Sequence, residues 1–334
     1  MSMRDESGPG AKAMGTTAAT GWRRRFDPRA GERALLVVVL AALLLVATGV
    51  RAASSQRSFE SPQQAVEALM STVQARDRAA LIAVLGPAES WLFSGDRNAD
   101  RAAFERFVAR YRAKHAVVVD GDRATLTIGE DDFPFAFPMV RSGALWRFDT
   151  EAGRDELLAR RIGENELSAI KVLQAIADAQ REYASQDRNR NGILEYATRI
   201  DSSPGKRDGL YWRVKAGEAQ SPLGPLLARA SAEGYVKDKQ GPTPYHGYYF
   251  RLLPGQAESA KSGALDYTVR GRTIGGFAAV AYPAKYGNTG IMSFIINQDG
   301  TVYQKDLGPD TRATGLKLQR FDPGPGWSPV AARQ

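Results

Sequence analysis

The chain contains no cysteine and only two histidines, His115 and His246. The lack of cysteine excludes disulfides, thiol nucleophiles and thiolate metal sites together. A zinc site or a Ser-His-Asp triad would have to be built around one of the two histidines, which lie far apart in the sequence. No motif typical of an enzyme class stands out, so the residues favour a function without catalysis.

A strong positive charge is also missing from most of the chain. The formal net charge is +8 over 334 residues. The first 52 residues contain eight basic and four acidic side chains, so they account for half of this charge. The rest of the chain is only mildly basic, and no basic stripe is interleaved with aromatic residues. The sequence therefore indicates no binding of nucleic acid.

The first 52 residues have the composition of a targeting segment. Arg23–Arg25 precede an uncharged apolar run of 17 residues, Ala34–Val50, and Val50-Arg51-Ala52 ends it with small residues. Residues 1–33 are predicted to be a disordered, basic region, and residues 34–52 a signal peptide or a membrane anchor. The run is long for a signal and just long enough to span a bilayer, so both interpretations stay open. Either one predicts an exported protein that is periplasmic or held on the inner membrane with its bulk outside the cytoplasm.

Residues 59–150 are predicted to form a domain of helices followed by strands. Ser61 and Pro62 have the types expected at a helix start, and further helices are predicted over Arg78–Leu85 and Asp100–Lys114. Hairpins are predicted to turn at Asp120-Gly121 and at Arg141–Gly143. Helices followed by a curved antiparallel sheet make an α+β unit. The order, together with the closing "GALWRFDT", resembles the nuclear transport factor 2-like fold.

Alternating phenylalanines follow an acidic turn in this domain. Phe133, Phe135 and Phe137 alternate and would share one face of a strand, with Glu130–Asp132 at its start. One interpretation is an aromatic pocket with acids at its mouth. The other, which we favour, is a packed core stripe beside a solvated turn.

Residues 155–330 are predicted to form a second domain, one long helix packed on an antiparallel sheet. The helix is predicted over Asp155–Ser185, and a hairpin in the sheet is predicted to turn at Asp299-Gly300. The apolar seam of the helix consists of Leu158, Ile162, Leu167, Ile170, Leu173, Ile176 and Tyr183. The helix, the strand "GYYF" and the segment "AYPAKYGNTG…FIINQDG" resemble the globular part of type IV pilins and type II secretion pseudopilins. A whole domain separates this helix from the apolar run, so the resemblance does not imply a filament subunit.

The chain from Phe59 to Val330 resembles an exported bacterial family catalogued only as domain of unknown function 2950. The resemblance is carried by "SSPGKRDGLYW", "PYHGYYF" and "YQKDLGPDT". It implies export, and it implies no particular activity.

The stretch "DRNRNGILE" has the spacing of a calcium loop. Asp187, Asn189, Asn191, the carbonyl of Ile193 and Glu195 are the candidate metal ligands, and the glycine between Asn191 and Ile193 stands where the loop turns sharply. The position of the bidentate glutamate of an EF-hand is threonine, so we expect calcium to bind weakly. The alternative is a polar turn that ends the long helix.

Two further polar stretches are candidates for binding. Asp201–Gly209 contains Lys206 and Arg207 and has the composition of an anion-binding turn, although exposed turns have the same composition. His246 lies among tyrosines and suits ligand stacking or, more commonly, a half-buried position at a strand start. The sequence thus favours a non-enzymatic, exported cell-envelope protein that binds or assembles with envelope proteins or polymers, and with the membrane if residues 34–50 are retained. The alternative is a hydrolase of envelope polymers with paired carboxylates in a cleft between the two domains.

Overall fold

The computed structural model describes residues 56–88, 90–215, 217–236 and 242–331. The predicted basic region 1–33 and the predicted signal peptide or anchor 34–52 lie outside these ranges. Within them, no helix is long and apolar enough to cross a membrane. The described residues belong to one compact unit, and the domain boundary near residue 150 stays a prediction.

Capping residues set the starts of the first helices, α1 (Pro62–Ala75), α2 (Arg78–Leu85) and α3 (Arg97–Ala113). Ser61 caps α1 as predicted, by accepting a hydrogen bond from a backbone N–H of the first turn. Helix α3 begins at Arg97 rather than at Asp100, because the Asp96 carboxylate accepts two backbone N–H groups of its first turn.

The first sheet is antiparallel, and both of its predicted hairpins are formed. Its strands are β1 (His115–Asp120), β2 (Arg123–Ile128), β3 (Phe133–Pro134), β4 (Met139–Ser142) and β5 (Leu145–Phe148). They lie in the order β1-β2-β4-β5, with β3 paired to β2. Asp120 pairs with Arg123, so the first turn falls at the predicted residues. Ser142 pairs with Leu145, so the second turn falls slightly later than the predicted Arg141–Gly143.

The three alternating phenylalanines do not share one face of a strand, contrary to the prediction. Phe137 is buried and stacks on the half-buried Phe135 with 5.4 Å between ring centroids. Phe133 is 42% exposed and lies under the guanidinium of Arg160, 4.4 Å from its ring centroid. Strand β3 includes only the first of the three rings, so strand alternation does not extend through the stripe.

Helix α4 (Thr150–Ala184) has 35 residues and takes part in two apolar clusters. It begins at Thr150 rather than at Asp155, because the Asp149 carboxylate caps its first turn. Leu157 packs with the N-terminal cluster, whereas Leu173 packs with the cluster under the second sheet.

The predicted seam of this helix is only partly correct. Leu173 and Ile176 are buried and Ile170 is half-buried, but Leu167 is 39% exposed. Leu167 precedes Leu173 by six residues, which turns its side chain roughly 120° away around the helix. Ala169 occupies the buried position instead.

The remaining elements follow in chain order. They are β6 (Arg199–Asp201), β7 (Gly209–Tyr211), α5 (Gly224–Ala232), β8 (Tyr248–Leu253), β9 (Gly255–Gln256), β10 (Leu265–Asp266), β11 (Thr268–Val269), β12 (Arg272–Thr273), β13 (Ala278–Pro283), β14 (Met292–Asn297), β15 (Tyr303–Asp306), α6 (Thr311–Lys317), β16 (Arg320–Phe321) and β17 (Ser328–Pro329). The second large sheet has the order β17-β15-β14-β13-β8, with β8 at one edge. Strands β6 and β7 form a separate parallel pair. The predicted hairpin at Asp299-Gly300 joins β14 to β15.

The molecule is therefore a mixture of helices and open, mainly antiparallel sheets, which is the predicted α+β class. The central strands are buried on both faces because α4 covers one face, and the apolar residues around α6 and β16 cover the other.

A half-buried arginine connects distant segments of the fold. Arg161, in α4, donates to the carbonyls of Trp91 and Leu92 at 2.8 and 2.7 Å and to Oδ1 of Asn288 at 2.9 Å. Burial lowers the pKa of this guanidinium, which the nearby Asp100 partly offsets. Asn288 belongs to the stretch "AYPAKYGNTG". It has a structural role, because the hydrogen bond that it accepts from Arg161 helps to hold α4 in place.

Candidate functional site

The predicted calcium loop follows α4 and closes on itself. The Asp187 carboxylate accepts the backbone N–H groups of Asn191 and Gly192 at 3.1 and 2.8 Å. Glu195 accepts the side-chain amides of Asn189 and Asn191, the latter at 2.7 Å. Gly192 has a φ of +82°, a left-handed conformation that glycine adopts without strain. The side chains predicted as ligands are therefore gathered around one turn.

The oxygen atoms of this loop are suitable ligands for a hard cation, but the loop carries little negative charge. Asp187 and Glu195 are the carboxylates of the loop, and no described group of three or more His, Cys, Asp or Glu is placed to hold a metal. Hydrogen bonds from backbone N–H groups, chiefly that of Gly192, hold the pKa of Asp187 below its ordinary value. A cation at Glu195 would require Asn189 and Asn191 to present amide oxygens where they now present nitrogens. Calcium binding by Asp187, Asn189, Asn191, Ile193 and Glu195 stays a prediction.

A groove of about 1060 Å³ is formed by residues between Val172 and Phe250. Its lining comes from helix α4, strand β6 and the loop after it, strand β7, helix α5 and strand β8. All of these residues belong to the second predicted domain, so the groove does not lie between the two predicted domains. Its aromatic lining consists of Tyr211, Trp212, Tyr235, Tyr245, Tyr249 and Phe250. A cavity of this size with apolar and aromatic walls suits a small molecule or a short stretch of polymer.

Three basic side chains line the same groove, together with the acidic Asp201. Lys206, Arg207 and Arg213 border it, and none of them forms an ion pair with a described acidic residue. Arg207 lies over the Trp212 ring at 5.4 Å, and Arg188 of the loop at 187–195 lies 5.9 Å from the same ring. Guanidinium and ammonium groups that form no ion pair within the described ranges, placed beside apolar walls, favour an anionic ligand that also has an apolar part.

The indole N–H of Trp212 is a buried polar group beside the groove. The residue is only 9% exposed, and among the described residues its indole N–H has no hydrogen-bond acceptor. A buried donor without an acceptor is uncommon in folded proteins. This side chain connects the groove to the loop at 187–195, because Arg188 and Arg207 both lie over its ring.

A carboxylate with several donors lies beside the groove. Glu233 accepts the Tyr245 hydroxyl at 3.0 Å and the Arg229 Nε–H at 3.0 Å, and His246 Nε2 lies 3.0 Å from the same carboxylate. Burial alone would raise the pKa of Glu233, but the hydrogen bonds from Arg229 and Tyr245 and the charge of Arg229 hold it below its ordinary value. His246 is half-buried, as the commoner of its two sequence interpretations predicts.

Tyr235 ties this end of the groove to the N-terminal helices. Its hydroxyl donates to the Asp96 carboxylate at 2.8 Å, and its ring meets that of Tyr245 edge-on at 4.9 Å. Burial, reinforced by the bond to Asp96, raises the pKa of Tyr235. Burial and the bond to Glu233 likewise raise the pKa of Tyr245. Both phenols are therefore neutral donors over the ordinary pH range.

The sequence pointed to parts of the groove but not to the whole. The stretches Asp201–Gly209 and Pro244–Phe250 were candidates for binding, and both contribute lining residues. Trp212 and the residues of α5 were missed, because nothing in a single sequence shows that residues 172, 212, 227 and 250 meet. The signal available was the cluster of aromatic residues in glycine- and proline-rich segments.

One comparison with known proteins gives a match. The profile of the family described as "Protein of unknown function (DUF2950)" covers residues 56–330. The chain belongs to this family. No curated protein and no solved structure matches the chain. The groove, Trp212 and the loop at 187–195 all lie within the part of the chain that the DUF2950 profile covers.

Proposed function

We propose that this DUF2950 protein is a non-enzymatic binding protein and that its ligand occupies the groove. The observation that carries the proposal is the combination of apolar walls with Lys206, Arg207 and Arg213, cations that have no acidic partner in the described ranges. A ligand with an apolar body and a negative group would fill the cavity and neutralise this charge.

The same proposal includes where the protein is located in the cell and which folds its two predicted domains resemble. The basic and apolar segments before residue 53 support export to the cell envelope, with residues 34–52 either cleaved or retained as an anchor. The long helix under an antiparallel sheet supports a pilin-like second domain, and the helices before the first sheet support a domain resembling the nuclear transport factor 2 fold. Envelope proteins or polymers are the proposed partners, and weak calcium binding by the loop at 187–195 is part of the proposal.

An amphipathic anion tests the groove directly. Anilinonaphthalene sulfonate combines aromatic rings with a sulfonate, and its fluorescence rises in apolar sites. We expect one molecule to bind per chain. Ser231 is exposed and lines the groove, so Ser231→Trp would fill it without disturbing the core. This change should weaken binding by about tenfold or more.

Ala228→Trp is the matched control. Ala228 lies on the same helix and is exposed, but it does not line the groove. It should leave binding of the probe within about threefold of wild type. Failure of the probe to bind the native chain, or equal binding by the two tryptophan variants, would contradict the proposed function.

A further inference from the structure

Strand β8 has a free edge at the groove. Its register with β13 pairs Tyr248 with Pro283 and Tyr249 with Tyr282. The pairing continues past the strand end, where the Ala284 N–H donates to the Gly247 carbonyl at 2.8 Å. Backbone groups of an antiparallel strand alternate in direction. Tyr248, Phe250 and Leu252 therefore turn their N–H and C=O groups away from β13.

Among the described residues, backbone hydrogen bonds close this edge only at its Tyr248 end. The N–H and C=O of Tyr248 are both used by Tyr245, at 3.1 and 2.9 Å. Phe250 and Leu252 have no such partner, since none of the described backbone or side-chain groups bonds to their outward N–H and C=O. Strand β6, which also lines the groove, lies close to β8 but forms its ladder hydrogen bonds with β7.

The groove passes directly across this edge. Tyr249 and Phe250 both line it, although their side chains lie on opposite faces of the sheet. The cavity therefore offers an open backbone donor and acceptor at Phe250, apolar contacts to either side, and the cations Lys206 and Arg207. An extended peptide satisfies all three features, because its main chain can add a strand to a sheet edge while alternate side chains enter pockets.

We propose that the groove binds an extended polypeptide segment that pairs with the free edge of β8 and places a carboxylate against Lys206, Arg207 and Arg213. This inference rests on the proposed function and names the class of its ligand. An acyl chain would gain nothing from the open backbone groups. A glycan would form hydrogen bonds with them but would not match the alternating spacing of a strand. The charges of Lys206, Arg207 and Arg213 favour acidic over basic segments.

The probe is a set of short linear peptides, selected from a random-sequence phage library on the full-length protein and then synthesised. We expect the selected peptides to carry at least one acidic residue and to displace anilinonaphthalene sulfonate. N-methylation of single peptide bonds along the best binder is the decisive measurement. Methylation at alternate positions should weaken binding by about tenfold or more, and methylation at the positions between should change it by less than about threefold.

Charge is tested by a pair of glutamine variants. Arg207→Gln should weaken binding of the acidic peptide by about fivefold. Replacing the carboxylate of the peptide by an amide should remove most of the difference between wild type and variant. Lys215→Gln removes the same charge from an exposed residue that does not line the groove and should have no such effect.

The inference is overturned if no selected peptide displaces the probe, if N-methylation acts equally at all positions, or if Arg207→Gln and Lys215→Gln behave alike. These outcomes are distinct from failure of the proposed function. If sodium dodecanoate or cellohexaose displaces the probe and no peptide does, the groove still binds a ligand and only its class is wrong.

Discussion

The loop at 187–195 and the groove differ in how far along the chain their contacts reach. In the loop, the hydrogen bonds of Asp187, Asn191 and Glu195 join residues at most six positions apart. At the groove, Tyr235 reaches Asp96 across 139 residues. Arg161, which holds helix α4, reaches partners 69 to 127 residues away.

This difference explains what each region can tolerate. A turn that satisfies its own polar groups can change without disturbing the rest of the fold. A wall assembled from distant segments exists only when the whole fold is formed, so its shape depends on the core beneath it. Substitutions in the core and at the distant contacts should therefore affect stability strongly, and those in the loop weakly.

The largest effect is expected in the core under the groove. Leu173 is fully buried in the cluster beneath the second sheet, so Leu173→Ala should lower the free energy of unfolding by about 2–5 kcal/mol. The exposed Lys171 lies on the same helix, and Lys171→Ala should change it by less than about 0.5 kcal/mol. Urea unfolding monitored by circular dichroism measures both. Equal losses at the two positions would show that α4 does not pack on the sheet through this face.

The next effect tests the distant contacts of Arg161. Arg161→Ala removes three hydrogen bonds and leaves the carbonyls of Trp91 and Leu92 without their donors. We expect a loss of about 3 kcal/mol, because hydrogen bonds from a charged donor are strong and buried acceptors are costly to leave unpaired. Arg154, on the same helix, has only exposed acidic partners, and Arg154→Ala should barely shift the melting temperature. A similar shift for both variants would contradict the structural role of Arg161.

A smaller effect is expected at the end of the groove. Tyr235→Phe removes the hydroxyl that donates a hydrogen bond to Asp96. It should lower the free energy of unfolding by about 1–2 kcal/mol at neutral pH. The raised pKa of Tyr235 means that the folded state favours the neutral phenol, so stability is lost as pH rises above about 10. The phenylalanine variant should lose part of this alkaline decline. Unfolding curves at pH 7 and at alkaline pH measure both quantities, and an unchanged pH dependence would show that Tyr235 does not contribute.

The same contrast explains how much the sequence could predict. Ser61 caps α1, Asp299-Gly300 turns a hairpin, and Asp187–Glu195 forms a closed turn, because each of these patterns acts over a few residues. The start of α4 was placed too late because the Asp149 cap was not recognised.

Contacts between distant segments could not be predicted in this way. Leu167 was placed in the core because apolar character alone does not specify which side of a helix meets a sheet. The partners of Arg161, the position of Trp212 and the free edge of β8 depend on segments that meet only in the folded chain. The groove was therefore visible in the sequence only as separate polar and aromatic stretches.

The smallest effect is expected in the loop, and it tests whether the loop binds calcium. We expect calcium to bind through Asp187, Asn189, Asn191, the Ile193 carbonyl and Glu195 with a dissociation constant of about 10⁻⁴–10⁻³ M, since only two ligands are charged. At about 10 mM calcium the melting temperature should rise by a few degrees. Magnesium should have much less effect, because it prefers a tighter octahedral shell and releases water reluctantly.

Asp187→Ala separates calcium binding from a simple turn. Without metal, the variant loses only an exposed acceptor of two backbone N–H groups, so its fold should be retained. With calcium, the wild type should gain stability and the variant should not. The depressed pKa of Asp187 adds a second signature: its contribution to stability is present above the ordinary carboxyl pKa and is lost as pH falls below it. Thermal melting with calcium, magnesium or chelator decides the question, since identical behaviour of wild type and variant in all three would leave the loop as a polar turn that ends α4.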